Sequence, residues 1–345
     1  MAEKKEFLKN IHYFRAFAIV NIVIVHVWSI PEIYKEYNRA LYAFIDITKE
    51  VMFHDSTIYF IFISGFLFHH LSPNFELKKY YKSKLFNVIF PYLFITMVIL
   101  LFKNIDYSNF SFSFRIPIEL VVETFIYGKA QIQFWYIPFI FIVFLVSPII
   151  LKIPKHFFPY IFILSSVLPL LGTRTGTRIS YWQYIYFFPI YLQGVWASMN
   201  YSKFISLVKS NSNQLLFIAI FSTFSLIYVY NKSHHVGYIN IYEAFHYLQK
   251  ISISFLVIIA LKKIEHKDIP ILNLLATYSF SIFFIHFMIG NDYFRNYFYC
   301  FIPDTSFLIL TASVTFIIIV IFLTLIISMS IKRLFGGQSR YLIGA

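Results

Sequence analysis

The chain has 345 residues, of which 59% are hydrophobic and 13% charged, with 44 Phe, 27 Tyr and a formal net charge of +13. A soluble globular domain needs far less apolar surface, so the composition places the chain in a lipid bilayer. Its one cysteine, Cys300, excludes an intrachain disulfide framework, a CxxC metal knuckle and iron–sulfur ligation by several cysteines.

Apolar stretches long enough to cross hydrocarbon as helix, about 17–25 residues, are predicted in chain order at 13–30, 56–71, 86–102, 132–151, 156–172, 181–199, 214–231, 247–261, 271–290 and 306–331. The expected fold is an all-α polytopic membrane protein of about ten transmembrane helices, one domain over residues 1–345. Short connections such as "KIPKHF" leave nine or eleven open. The first run follows a basic stretch, but "WSIPEIY" after it offers no small-residue cleavage site, so a retained first helix is expected.

With residue 1 in the cytoplasm, the loops on its side hold 17 Lys and Arg against five acids, while the opposite loops hold 11 of each. Cytoplasmic loops are enriched in Lys and Arg, so both termini are expected there. These loops and Arg15 account for the net positive charge without nucleic-acid binding. Anionic lipid headgroups or an anionic cytoplasmic substrate would suit the same face.

The first span carries Arg15 and His26, 11 residues apart. On a helix that is three turns plus about 20°, with a rise of about 16 Å, so both lie on one face. Arg15 belongs near the cytoplasmic boundary and His26 near mid-membrane. Arg15 can snorkel and His26 can be structural glue. Ionisable residues at this depth are nevertheless functional by default, and a neutral imidazole in a polar cavity can act as general base. No acid lies within a turn of His26, and the remote candidates to orient it are Asp55, Glu119, Glu123 and Glu243.

In "YFIFISGFLFHHL", residues 59–71, Ser64 and Gly65 permit close approach of a helix or a ligand, with plain packing the simpler reading. His69 and His70 are adjacent, point about 100° apart on a helix and are poorly placed to share a metal. "ELKKYYKSKLFNVIFPYL", residues 76–93, sets Lys78, Lys79, Lys82 and Lys84 among Tyr80 and Tyr81 before Pro91. Besides following the positive-inside rule, these lysines can receive phosphates. Gln131, Gln133, Trp135 and Tyr136 fall at the outer end of a span, where aromatics either anchor the interface or stack on sugars. His286, in "LATYSFSIFFIHFMIG", lies towards the outer end of the ninth span and reads as structural or functional. There is no HExxH, no carboxylate cluster with metal spacing, no P-loop and no GxSxG, so no metal is expected.

In this order, Arg15 with His26, "SGFL" at 64–67, the basic segment ending in "PYL" at 91–93, "FWYI" at 134–137 and "YSFSIFFIH" at 278–286 resemble the membrane acyltransferase 3 family. Members of that family acylate carbohydrates and other acceptors at cell surfaces. The resemblance implies that His26 is the catalytic histidine, and that Arg15, Lys84 and Lys82 hold an acyl-CoA donor whose acyl passage is lined by Ser64, Gly65 and Phe66. It also implies that Trp135, Tyr136, Gln133 and His286 face the acceptor. His12 and Tyr13 stand where relatives often carry an acid, and Gln133 where many carry histidine.

The implied protein is an inner (plasma) membrane O-acyltransferase, with acetyl-CoA or another acyl-CoA as donor and a surface polysaccharide or its lipid-linked precursor as acceptor. The alternative from another class is a transporter of polysaccharide or lipid-linked sugar. Membrane lipid is the expected surrounding partner; self-association as a homo-oligomer is allowed but not required.

Overall fold

The computed structural model describes residues 7–73, 75–103, 105–106, 111–112, 117–174, 179–230, 235–236 and 239–345. Fourteen main helices follow in order: α1 (Lys9–Val27), α2 (Arg39–Phe53), α3 (Thr57–His70), α4 (Leu77–Lys84), α5 (Phe90–Lys103), α6 (Ile118–Tyr127), α7 (Tyr136–Ile150), α8 (Phe158–Val167), α9 (Tyr181–Met199), α10 (Ser212–Val229), α11 (Ile241–Lys263), α12 (Pro270–Thr277), α13 (Ser279–Ile289) and α14 (Ser306–Phe335). Short helices at Ile33–Tyr37, Tyr201–Ser210, Asp292–Tyr299 and Ser339–Ile343 complete the set. Two antiparallel hairpins, β1 (Ile105–Asp106) with β2 (Ser111–Phe112) and β3 (His235–Val236) with β4 (Ile239–Asn240), are the strands among the described residues.

Among the described residues seven helical segments are long and apolar enough to cross a membrane, or eight when α12 and α13, bent by 79°, form one crossing. The expected list of ten differs at identifiable places. The stretch at 156–172 forms the ten-residue α8 and a 3₁₀ turn at Leu168–Leu171, which is short for a crossing. The 181–199 stretch is a 19-residue helix whose Gln183 and Gln193 lower its apolarity; both glutamines are buried and hydrogen-bonded inside the protein. The segment expected at 56–71 continues an apolar helical run from Arg39 to His70.

Local chemistry sets several ends. α1 stops at Val27, four residues before Pro31, which has no N–H with which to continue a helix. Ser180 and Gln183 form a capping box at the start of α9, satisfying backbone donors there. Between α4 and α5 the helix widens to a π turn at Leu85–Ile89, where Pro91 cannot supply the usual donor. Asp55, between α2 and α3, adopts φ +60°.

Two compact units form. The first holds α1–α3, α8–α13 and α14 as far as Leu325; the second holds α4–α7, the remainder of α14 from Ile326, and Ser339–Ile343. In the first, α1 is central and packs on α3, α11, α12 and α13, while α3 and α9 make the most extensive helix pair. That pair depends on glycine at two reciprocal points. A Cβ at Gly65 would run into the Tyr191 carbonyl group, reaching 2.8 Å from its carbon, and one at Gly194 would reach 2.8 Å from the Phe66 nitrogen. In the second unit, Tyr80 and Tyr81 of α4 donate to the Phe144 and Leu145 carbonyls of α7 at 3.2 and 2.8 Å.

Candidate functional site

α1 is a single uninterrupted helix, so Arg15 and His26 keep the three-turn relationship that places them on one face. Arg15 Nη2 donates to Ser279 Oγ at 3.0 Å, and Ser279 Oγ donates to the Ala276 carbonyl at 2.9 Å. Ser279 is the first residue of α13, just past the bend, where a helix presents backbone N–H groups without intrahelical partners. Among the described residues no carboxylate pairs with Arg15. The guanidinium therefore keeps most of its five donors for something else.

A cavity of about 270 Å³ opens beside it, lined by Arg15 with His12, Phe66, Leu67 and His70 and by neighbours in the first turn of α1. Arg15 and Phe66, both assigned to the donor from the sequence, thus share one cavity. Gly65 and Ser64 are not among its lining residues. Contact with the Tyr191 backbone accounts for Gly65 as a packing residue.

His26 lies in the last turn of α1, its ring centre 5.6 Å from that of His286 and 6.2 Å from that of Phe287. His286 is fully buried, with Nδ1 2.8 Å from the Ile282 carbonyl. A carbonyl only accepts, so Nδ1 carries the hydrogen and Nε2 is left with a lone pair; that nitrogen is buried and unpartnered. The sequence grouped His286 with acceptor residues, and the structure sets it beside His26.

The four candidate carboxylates for His26 are engaged or placed elsewhere. Glu123 pairs with Lys129 at 2.5 Å, and Glu119 is exposed in the first turn of α6. Asp55 and Glu243, 2% and 1% exposed, flank Arg174, whose Nε lies 2.5 Å from Asp55 Oδ1 and 3.4 Å from Glu243 Oε2. Tyr186 donates to Asp55 Oδ2 at 2.8 Å. Burial opposes charge on Arg174, yet Asp55 and Glu243 hold its pKa above the ordinary arginine value.

This cluster extends to a histidine that sequence reading passed over. His54 Nδ1 meets Glu50 Oε2, one turn away on the same helical run, and lies 3.3 Å from Arg174 Nη2. Behind it His246 is fully buried, its ring centre 5.8 Å from that of His54. The signal in the sequence was Glu50 and His54 at i, i+4, a spacing that puts them on one helix face. Lys250, also fully buried, is held by Met52 O and Gln249 Oε1 at 2.8 and 2.6 Å.

The remaining predicted residues belong to the second unit. Lys84 Nζ lies 4.0 Å above the Phe144 ring and 5.3 Å from that of Tyr80, a cation–π arrangement. Lys82 is exposed, with Nζ 6.0 Å from the Phe86 ring. Gln133 donates to Gln131 at 2.7 Å, and Trp135 meets Tyr136 edge-on at 6.4 Å. Among the described residues no group of three or more His, Cys, Asp or Glu is placed to hold a metal ion.

The first unit therefore combines an anion-ready guanidinium on a cavity with a pair of imidazoles, His26 further along the same helix and His286 from α13 beside it. That arrangement can hold a charged substrate at one level and move a proton at another. No curated protein and no solved structure matches the chain. A family comparison matches residues 8–333, nearly the whole sequence, to a family described as an acyltransferase domain, and the chain belongs to this acyltransferase 3 family.

Proposed function

We propose that this membrane acyltransferase is an O-acyltransferase, with acetyl as its simplest acyl group. It takes that group from cytoplasmic acyl-CoA and passes it to a hydroxyl of a cell-surface polysaccharide or its lipid-linked precursor. The observation that carries the reading is Arg15, which opens on a cavity, is held by Ser279 without a carboxylate, and shares a helix face with His26. Coenzyme A is a polyanion that cannot enter hydrocarbon, so its phosphates stay at the headgroup level while the extended pantetheine arm reaches inward. A guanidinium with no carboxylate partner, at the inner edge of a cavity, fits that demand.

The orientation is part of the proposal. Lys and Arg concentrate in the loops on the side of residue 1, and an even number of crossings puts both termini on one side. The Arg15 end of α1 is then cytoplasmic, and His26 lies about 16 Å further in.

In the reaction, the acceptor hydroxyl oxygen forms a bond to the thioester carbonyl carbon while the His26 imidazole takes its proton. The carbon–sulfur bond breaks, the electron pair leaves with sulfur, and the proton passes from His26 to the thiolate. Ester and free coenzyme A thiol result. His286, its tautomer fixed by Ile282, packs its ring beside His26 and keeps a free Nε2 lone pair, the acceptor that can take a hydrogen from the His26 ring or the incoming hydroxyl during the step.

Purified protein given labelled acetyl-CoA and glycan from cells lacking the protein tests the reading, with His26→Ala as control. Labelled glycan should form with the wild type and fail with the variant. Donor turnover at the normal rate by the variant would sink the role of His26. Mass spectra of glycans from cells with and without the protein should differ by one acyl mass per modified sugar.

A further inference from the structure

The cluster around Glu50, Asp55, Arg174 and Glu243 takes no part in the step just described, and it suits the donor poorly. Three acidic side chains repel a polyanion. Its position also differs from that of the donor cavity. The cavity is lined by the first two turns of α1 and the last turns of α3, whereas at the opposite end of α1 Trp28, two residues beyond His26, packs edge-on to Phe53, the neighbour of His54, at 5.8 Å between ring centres. The two polar regions thus flank His26 along α1.

The cluster is open at its rim and unsatisfied behind it. The Glu50, His54 and Arg174 side chains are 24%, 25% and 20% exposed. His246 is fully buried with neither ring nitrogen hydrogen-bonded, while Glu243, also buried, has Arg174 as its ion-pair partner. Buried polar atoms are normally paired, by protein or by what binds there. Asp55 keeps a left-handed backbone, φ +60°, while its carboxylate meets Arg174 and Tyr186; strain of this kind concentrates at ligand sites. Half-buried Tyr242 packs its ring edge-on to His246 at 4.5 Å.

Carboxylates accept from hydroxyls, a guanidinium donates to hydroxyl oxygens, and an aromatic face covers the apolar C–H face of a pyranose. We infer that the rim formed by Glu50, His54 and Arg174 binds the acceptor as a neutral sugar unit through its hydroxyl groups, with Tyr242 against the sugar ring. The inference rests on the acyl transfer proposed above and supplies its acceptor site. It also gives the contact between the end of α1 and the Glu50–His54 turn a purpose: the hydroxyl to be acylated is delivered at the far side of His26 from the donor cavity.

The test uses the full-length protein in detergent or nanodiscs, labelled acetyl-CoA, and surface glycan extracted from cells lacking the protein. Glycan is varied at saturating donor, then donor at saturating glycan. Glu50→Gln keeps the side-chain volume and removes the charge, and Tyr242→Ala probes the rim without touching an ion pair. Each should raise the half-saturating glycan concentration about tenfold or more, the scale of a lost hydrogen bond to a charged group or of a lost aromatic contact. The half-saturating acetyl-CoA concentration should stay within about twofold of wild type. A purely structural role for the cluster would instead lower the maximal rate or the yield and leave glycan saturation alone. Wild-type glycan saturation in both variants would overturn the inference while leaving acyl transfer standing. A wild-type protein that consumes no acetyl-CoA with the glycan would overturn acyl transfer, and the inference with it.

Discussion

The His26 and His286 rings lie 5.6 Å apart between centres, and a backbone carbonyl fixes which nitrogen of His286 carries its hydrogen. The hydrogen bond made by one ring nitrogen sets the state of the other, so Nε2 is the acceptor that His286 can offer beside His26. Replacing His286 by Phe keeps an aromatic ring in a fully buried site and deletes Nε2. The maximal transfer rate should fall about tenfold or more, with half-saturating acyl-CoA little changed. His26→Ala should cost about 10²–10⁴, the usual range for general acid–base catalysis. Steady-state kinetics on the two purified variants checks both, and an unaffected rate in His286→Phe would remove it from the catalytic arrangement.

Arg15 makes a separate prediction, because it acts on the donor rather than on the proton. Arg15→Gln retains a donor for Ser279 Oγ but loses the charge and the guanidinium fork. Half-saturating acyl-CoA should rise by about tenfold to a hundredfold, and Arg15→Lys should recover part of the loss. Donor saturation identical to wild type in Arg15→Gln would argue that the cavity does not hold the anionic part of the donor.

What the sequence made legible was local. The Arg15 and His26 relation follows from helix geometry alone, and α1 keeps it. The bend after α12 was not readable: 271–290 has the composition of one span, and no proline or glycine marks Tyr278, where the direction changes. Asp55 and Glu243 were visible as candidate acids. Their claim by Arg174 depends on tertiary packing that joins the start of α11 to the α2–α3 break, and no periodicity reports such a pairing. Gly65 was ambiguous between ligand passage and packing until Tyr191 appeared against it.

The glycine contact between α3 and α9 gives a stability prediction that is independent of function. Gly65→Ala places a methyl group against the Tyr191 carbonyl, which is backbone and cannot rotate away. Overpacking of this kind costs about 1–3 kcal/mol. Gly194→Ala should act similarly from the facing helix, through Phe62 and Phe66 backbone atoms. The double variant should lose less than the two single losses combined, since one separation of the helices relieves both clashes. Thermal unfolding of the detergent-solubilised protein measures this, and wild-type melting in Gly65→Ala would show that the helices are not held so closely.

Arg174 separates charge balance from simple contact. Asp55 and Glu243 are almost completely buried, and among the described residues Arg174 is the cation within ion-pair distance of both. Arg174→Met preserves a long apolar stem and leaves two carboxylates in a poorly solvated place. Removing one partner from a buried pair costs about 3–5 kcal/mol, more than the pair itself contributes, because the charge left behind has lost its compensation. Thermal unfolding in detergent should therefore show a marked loss for Arg174→Met. Adding Asp55→Asn and Glu243→Gln should restore much of it: the uncharged groups no longer need a cation, and Tyr186 can still donate to an amide oxygen at position 55 as it does to Asp55 Oδ2. If the triple variant is no more stable than Arg174→Met alone, lost packing rather than uncompensated charge is what the arginine prevents.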